Sequence, residues 1–171
     1  MNAKTGIHLS GLARRLVRDN ILDEVAAQEI HEQAKANKTL FVPQLVESGK
    51  VDSRIIAELA SDEFGVPLLD LTAFNPEMLP QGMVDTALIT KHNALPLFHR
   101  GNRLFIAVSD PTNQAALDEI KFHTGIKTDL VLVDQAALAT AINTMVDADD
   151  AGFDDFDEVG MEELEIGRAH V

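Results

Sequence analysis

The 171-residue chain has no cysteine, no tryptophan and no tyrosine. Without cysteine there is no disulfide framework, no thiolate zinc site and no cysteine nucleophile, and a reducing compartment suits such a chain. Long apolar runs are missing too. The longest, Leu104 to Val108, is strand-sized and far short of the roughly 20 residues of a membrane-spanning helix. Met1 to Ser10 lacks the charged-then-apolar layout of a signal peptide, so a cytoplasmic location is expected. Basic side chains are scarce and unevenly placed. Residues 1–146 carry 18 acids and 13 bases, a net of −5, whereas residues 147–171 carry 10 acids and Arg168 alone, a net of −9. The overall charge of −14 is therefore largely a property of the tail. Phosphate contacts require clustered Lys and Arg, so nucleic-acid binding is not expected. The nearest approach to a cluster is Arg14, Arg15 and Arg18.

What the chain does contain begins with a repeat at an offset of 29 residues over 11–64. Leu16-Val17 returns as Leu45-Val46, Leu22-Asp23 as Val51-Asp52, Ala26-Ala27 as Ile55-Ile56, and Glu29-Ile30 as Glu58-Leu59. Each unit reads as a short helix, a left-handed stop at Asn20 or Gly49, and a second helix opened by Asp23 or Asp52. Ala26, Ile30 and Ala34, then Ile55, Leu59 and Ala60, give each second helix one apolar face. Two such hairpins can pack as a four-helix unit.

The pattern changes after Phe64. Val66 to Leu71 suits a strand or extended connector, Asn75 to Gly82 a loop, and Val84 to Asn93 a helix. Leu95–His99 and Arg103–Val108 flank Arg100-Gly101-Asn102, a hairpin signal. Gln114–Thr124 reads as a helix ended by Gly125, Lys127–Val133 as a strand, and Asp134 as the cap of a last helix with Leu138, Ala141, Ile142 and Met145 on one face. The expected fold is α+β: a helical-hairpin unit over 10–64, then a small α/β unit with a mixed sheet over 65–146. The acidic run 147–164, with isolated Phe153 and Phe156, reads as a disordered linker.

A search for chemistry finds little foothold. The histidines, His8, His31, His92, His99, His123 and His170, show no ligand spacing, so no metal is expected. Neither a GxxxxGK[ST] phosphate loop nor a GxGxxG turn occurs. In Ser109-Asp110-Pro111-Thr112 the polar side chains are expected to cap the following helix while Pro stiffens the turn; an anion site is the alternative. No nucleophile elbow surrounds Ser109. No acid pair stands in an apolar setting that would raise a pKa. Phe41 and Phe64 are expected in the core. Arg14, Arg15 and Arg18 are expected either as the solvated face of an amphipathic helix buried through Leu12, Leu16 and Val17, or as a contact for an acidic partner.

The repeated hairpins lead into Phe64-Gly65-Val66-Pro67, then Leu95-Pro96-Leu97-Phe98-His99-Arg100-Gly101-Asn102-Arg103-Leu104, Ala107-Val108-Ser109-Asp110-Pro111-Thr112-Asn113 and Leu117-Asp118-Glu119-Ile120-Lys121-Phe122. Over roughly 10–146 this resembles the N-terminal region of the PilB/GspE family, the type IV pilus assembly ATPases and their type II secretion relatives. The resemblance implies a regulatory and docking region of a hexameric cytoplasmic motor. ATP and magnesium would belong to an ATPase domain whose motifs this sequence lacks, so no cofactor, catalytic residue or metal ligand is expected here. Many relatives bind cyclic di-GMP through two copies of a pattern close to RLGxxLVxxG. Here Gly11, Leu12 and Ala13 stand where the first copy has Arg, Leu and Gly, with Asn20 for its last Gly; the second has Leu40, Phe41 and Val42, with Gly49 retained. The implied partner is then a PilZ-type adaptor or an inner-membrane platform protein. A direct cyclic di-GMP sensor, or the GspE branch docking on a secretion platform, is the alternative. Glu165 to Val171 match one reading frame of a sequencing adapter, and the expectation is that they are not native and that the gene was cut before its ATPase part.

Overall fold

The computed structural model describes residues 9, 11–75, 78–80 and 82–148. The expectations for the acidic run beyond Ala148 and for 165–171 lie outside the described residues. Four helices come first: α1 (Gly11–Arg18), α2 (Glu24–Ala36), α3 (Phe41–Ser48) and α4 (Ser53–Phe64). The repeat is visible in what each position buries. Leu12 and Phe41, Ala13 and Val42, Leu16 and Leu45, Leu22 and Val51, and Ala27 and Ile56 are all buried, pair by pair at the same offset. The stops and starts are those the residue types demand. Asn20 and Gly49 are left-handed, with φ of 59° and 73°, and Asn and Gly tolerate that region best. Asp23 accepts from the Val25 N–H at 3.1 Å, and Asp52 from the Arg54 N–H at 2.9 Å, capping α2 and α4.

The apolar face of α4 sits one residue further on than its spacing suggests. Ile56, Ala57 and Ala60 are buried, Ile55 is exposed and Leu59 only partly covered. Likewise α2 buries Ala27, not Ala26. One residue is a 100° turn of the helix, and the packing partners, α1 against α4 and α2 against α3, set that phase. Phe41 lies in the core as expected, but Phe64, at the last turn of α4, is exposed.

The second unit starts with an extended stretch. Leu68 bridges Leu132, and the Leu69 N–H donates to the Leu132 carbonyl at 2.8 Å. A 3₁₀ turn (Leu71–Ala73) and α5 (Thr86–His92) follow, then β1 (Ala94–Arg100), β2 (Arg103–Val108), α6 (Gln114–Thr124), β3 (Lys127–Leu132) and α7 (residues 135–148). The sheet is mixed, in the order β1-β2-β3, with β1 antiparallel and β3 parallel to the central β2. Gly101 turns the hairpin at φ 60°, the positive first position that a two-residue Gly-X loop needs. Leu95, Leu97, Leu104, Ile106, Ile120 and Leu138 form its core. Leu132, the last residue of β3, packs instead into the core of the helical repeat, so the two units share one apolar seam.

Candidate functional site

The seam carries a buried acid. Asp110 is 4% exposed. Its Oδ1 accepts from the Thr112 N–H at 2.9 Å and from the Thr112 hydroxyl at 2.5 Å. Its Oδ2 accepts from the Val42 N–H at 3.2 Å, across 68 residues of sequence. The need for this contact is local. Helix α3 opens on Leu40, whose side chain cannot cap, and Pro43 has no N–H to satisfy. Val42, 2% exposed, would otherwise hold a buried unpaired donor. The expectation that Ser109, Asp110 and Thr112 cap the next helix is thus corrected: Asn113 caps α6, accepting from the Ala116 N–H at 3.3 Å. Sequence reading fails here because a cap supplied by a distant loop leaves no local spacing signal.

Ser109 belongs to a polar knot that joins four elements. Its hydroxyl donates to the Gln135 side-chain oxygen, which also accepts from Asn93 Nδ2 at 2.7 Å. Asn113 Nδ2 donates to the His92 carbonyl at 2.8 Å. The knot locks α5, the end of β2, and the starts of α6 and α7. Ser109 is thereby committed to structure, and His123 lies elsewhere, beside Glu119 on α6.

Glu119 gathers basic side chains from two helices. His92 Nε2 donates to its Oε2, Lys91 Nζ lies 3.5 Å away, and His123 Nε2 3.9 Å. The hydrogen bond from His92, then the Lys91 charge, hold the Glu119 carboxyl below its usual range. A depressed carboxyl stabilises the fold fully above the unfolded value, about pH 4.3 for glutamate, and that contribution is lost as pH falls through the lower folded value. Glu119→Gln is therefore expected to lower Tm near neutrality, with the gap to the parent closing below about pH 4. A gap of constant size from pH 7 to 3 would refute this role.

The three arginines of α1 do not act as one patch. Arg15 is spent within the fold: it reaches Asp62 at 2.6 Å, Asp19 at 3.2 Å and Glu63 at 3.5 Å, tying α1 to α4. Hydrogen bonding, first to Asp62 and then to Asp19, raises its pKa further. Arg18 is exposed, 3.5 Å from Asp19. Arg14 is exposed and has no ion pair among the described residues. Gly11, Arg14, Arg15, Arg18 and Glu63 line a shallow depression of about 260 Å³. At the two positions where the dinucleotide pattern has its inner glycine, Ala13 and Val42 are 1% and 2% exposed, with their side chains in the helical core. No group of three or more acids and histidines able to hold a metal occurs among the described residues. Nor is any described helix long and apolar enough to cross a membrane.

A four-helix repeat fixed on a mixed-sheet α+β unit is the architecture of an N-terminal module of secretion and pilus-assembly ATPases. The chain belongs to the MshEN domain family, matched over residues 64–152, and is homologous to the N-terminal region of PilB/GspE ATPases. It is 38% identical over 95% of its length to the type IV pilus assembly ATPase PilB of Pseudomonas aeruginosa, of which it spans 29%. Its fold resembles the N-terminal domain of XpsE (TM-score 0.63, 18% identity, 78% of this chain and 92% of that one). It also resembles MshE, solved with cdg (cyclic di-GMP; TM-score 0.56, 18% identity, 78% and 97%).

Proposed function

We propose that this chain is the regulatory and docking N-terminal region of a pilus-extension ATPase. In this reading it receives a PilZ-type adaptor, or an inner-membrane assembly protein, on the face of the helical repeat that presents Arg14 and Arg18. ATP- and magnesium-driven motor activity would reside in the remainder of a longer parent. The observation carrying the reading is the state of the two ligand-pattern copies. Gly11 and Leu40 replace the arginines that would meet phosphate. Ala13 and Val42 put buried side chains where backbone would have to approach a ligand closely. A surface that has lost its small-ligand groups and keeps two exposed guanidinium groups suits an acidic protein partner.

Arg14→Glu with Arg18→Glu is expected to weaken adaptor binding about tenfold or more, mainly through slower association. Arg15 is left intact because it holds the fold together. The measurement is a titration of the purified adaptor at two salt concentrations. Undiminished binding by the double variant would remove this face from the proposal.

Direct cyclic di-GMP sensing is the second reading. It is favoured by the MshE likeness and by the left-handed backbone kept at Asn20 and Gly49. Calorimetry decides between them: micromolar binding of the dinucleotide to this chain would replace the adaptor reading.

A further inference from the structure

Away from the arginine face, α7 and the segment around the 3₁₀ turn enclose an open groove of about 630 Å³. One wall is Leu71, Phe74 and Leu79; the other is a run of small side chains along α7, from Ala136 through Ala141 to Met145 and Ala148. Its polar members are already satisfied. The Thr140 and Thr144 hydroxyls donate back to the Ala136 and Thr140 carbonyls at 3.1 and 2.9 Å. The Thr72 hydroxyl donates to Asp70 at 2.6 Å. These threonines therefore offer the groove methyl groups and no free hydroxyl proton. Phe74 extends the apolar wall into a ring stack with Phe98 and Phe105, at centroid distances of 6.2 and 4.7 Å. Such a groove fits an apolar, aromatic occupant, and a charged small molecule would find no partner in it.

We propose that the occupant is this chain's own Gly152–Phe156 segment, folded back so that Phe153 and Phe156 seat in the groove. The groove ends at Ala148, where the acidic tail begins, and Phe153 and Phe156 are the first large apolar residues beyond it. Reach permits the return. Five extended residues from Ala148 to Phe153 cover about 17 Å, and α7 rises about 18 Å from Ala136 to Ala148. So short a tether sets a local concentration in the millimolar range. Each ring would withdraw from water a large apolar area that the tail's own composition cannot bury. The groove thus becomes a clasp that holds the start of the linker along α7 and sets the direction in which the linker leaves.

The cysteine-free sequence makes the test clean. Asp157→Cys in the full chain takes a single nitroxide spin label, and the methyl resonances of Ala137, Ala141 and Met145 report its approach. Those resonances are expected to lose most of their intensity, and Phe153→Ala with Phe156→Ala is expected to restore it. Unperturbed groove resonances would overturn the proposal. So would broadening that survives loss of both rings, since a tether alone would then bring the label near. Broadening of an isotope-labelled, spin-free chain by an unlabelled spin-carrying one would assign the groove to a second copy and also overturn it.

Discussion

Asp110→Ala is expected to lower the unfolding free energy by about 2–4 kcal/mol. Three donors lose their acceptor at once: the Val42 and Thr112 N–H groups and the Thr112 hydroxyl. Thr112 is exposed and can turn to water. Val42 cannot, because it lies in the helical core, and an orphaned buried donor alone costs about 1–3 kcal/mol. Asp110→Asn separates the two sides of the carboxylate. An amide has one oxygen, so it can serve either Thr112 or Val42, with its NH₂ group set against the other N–H. Its loss should fall between those of the parent and the alanine variant. The measurement is urea unfolding followed by far-UV circular dichroism, joined by hydrogen exchange at the Val42 amide. A midpoint unchanged in Asp110→Ala would mean that the seam does not depend on this carboxylate.

The second large effect is Leu132→Ala, at about 3–4 kcal/mol. Leu132 is fully buried, and it leaves the α/β core to pack among Leu16, Leu45 and Ile56 of the repeat. Truncation opens a cavity whose walls belong to both units, and neither can close it without shifting the other. Its backbone also pairs with the Pro67–Leu69 stretch, so local relaxation is restricted. Amide exchange should accelerate in α1 and in β2 together. Exchange that rises on one side only, or a loss under about 1 kcal/mol, would show that the two units are not coupled through this residue.

The repeat, its caps and its stops were readable because each is local: an Asp before a helix, an Asn or Gly after one, and apolar pairs at a constant offset. The hairpin at Gly101, the end of α6 at Gly125 and the cap of α7 at Asp134 were legible for the same reason. The phase of α4 was not, and in α2 Ala27 displaced Ala26 although Ile30 and Ala34 are buried as expected, because only the facing helix chooses between adjacent apolar residues. Phe64 was misjudged because an aromatic side chain at a helix end can lie outside as easily as inside. Asp110 lay beyond local reading, as its partner is a backbone N–H that no residue type announces. The arginines were found, but the division between a committed Arg15 and an exposed Arg14 depends on Asp62 and Glu63, far along the chain.

Duplication of the hairpin yields twin surfaces, and the fold treats the twins differently. In the second copy Pro43 stands on α3 beside Val42, where Asp110 attaches the repeat to the sheet-bearing unit. The corresponding residue of the first copy is Arg14, open to solvent. The same patch, present twice, is thus anchored once and displayed once. A change near Pro43 therefore meets the anchor, whereas a change at Arg14 meets only solvent.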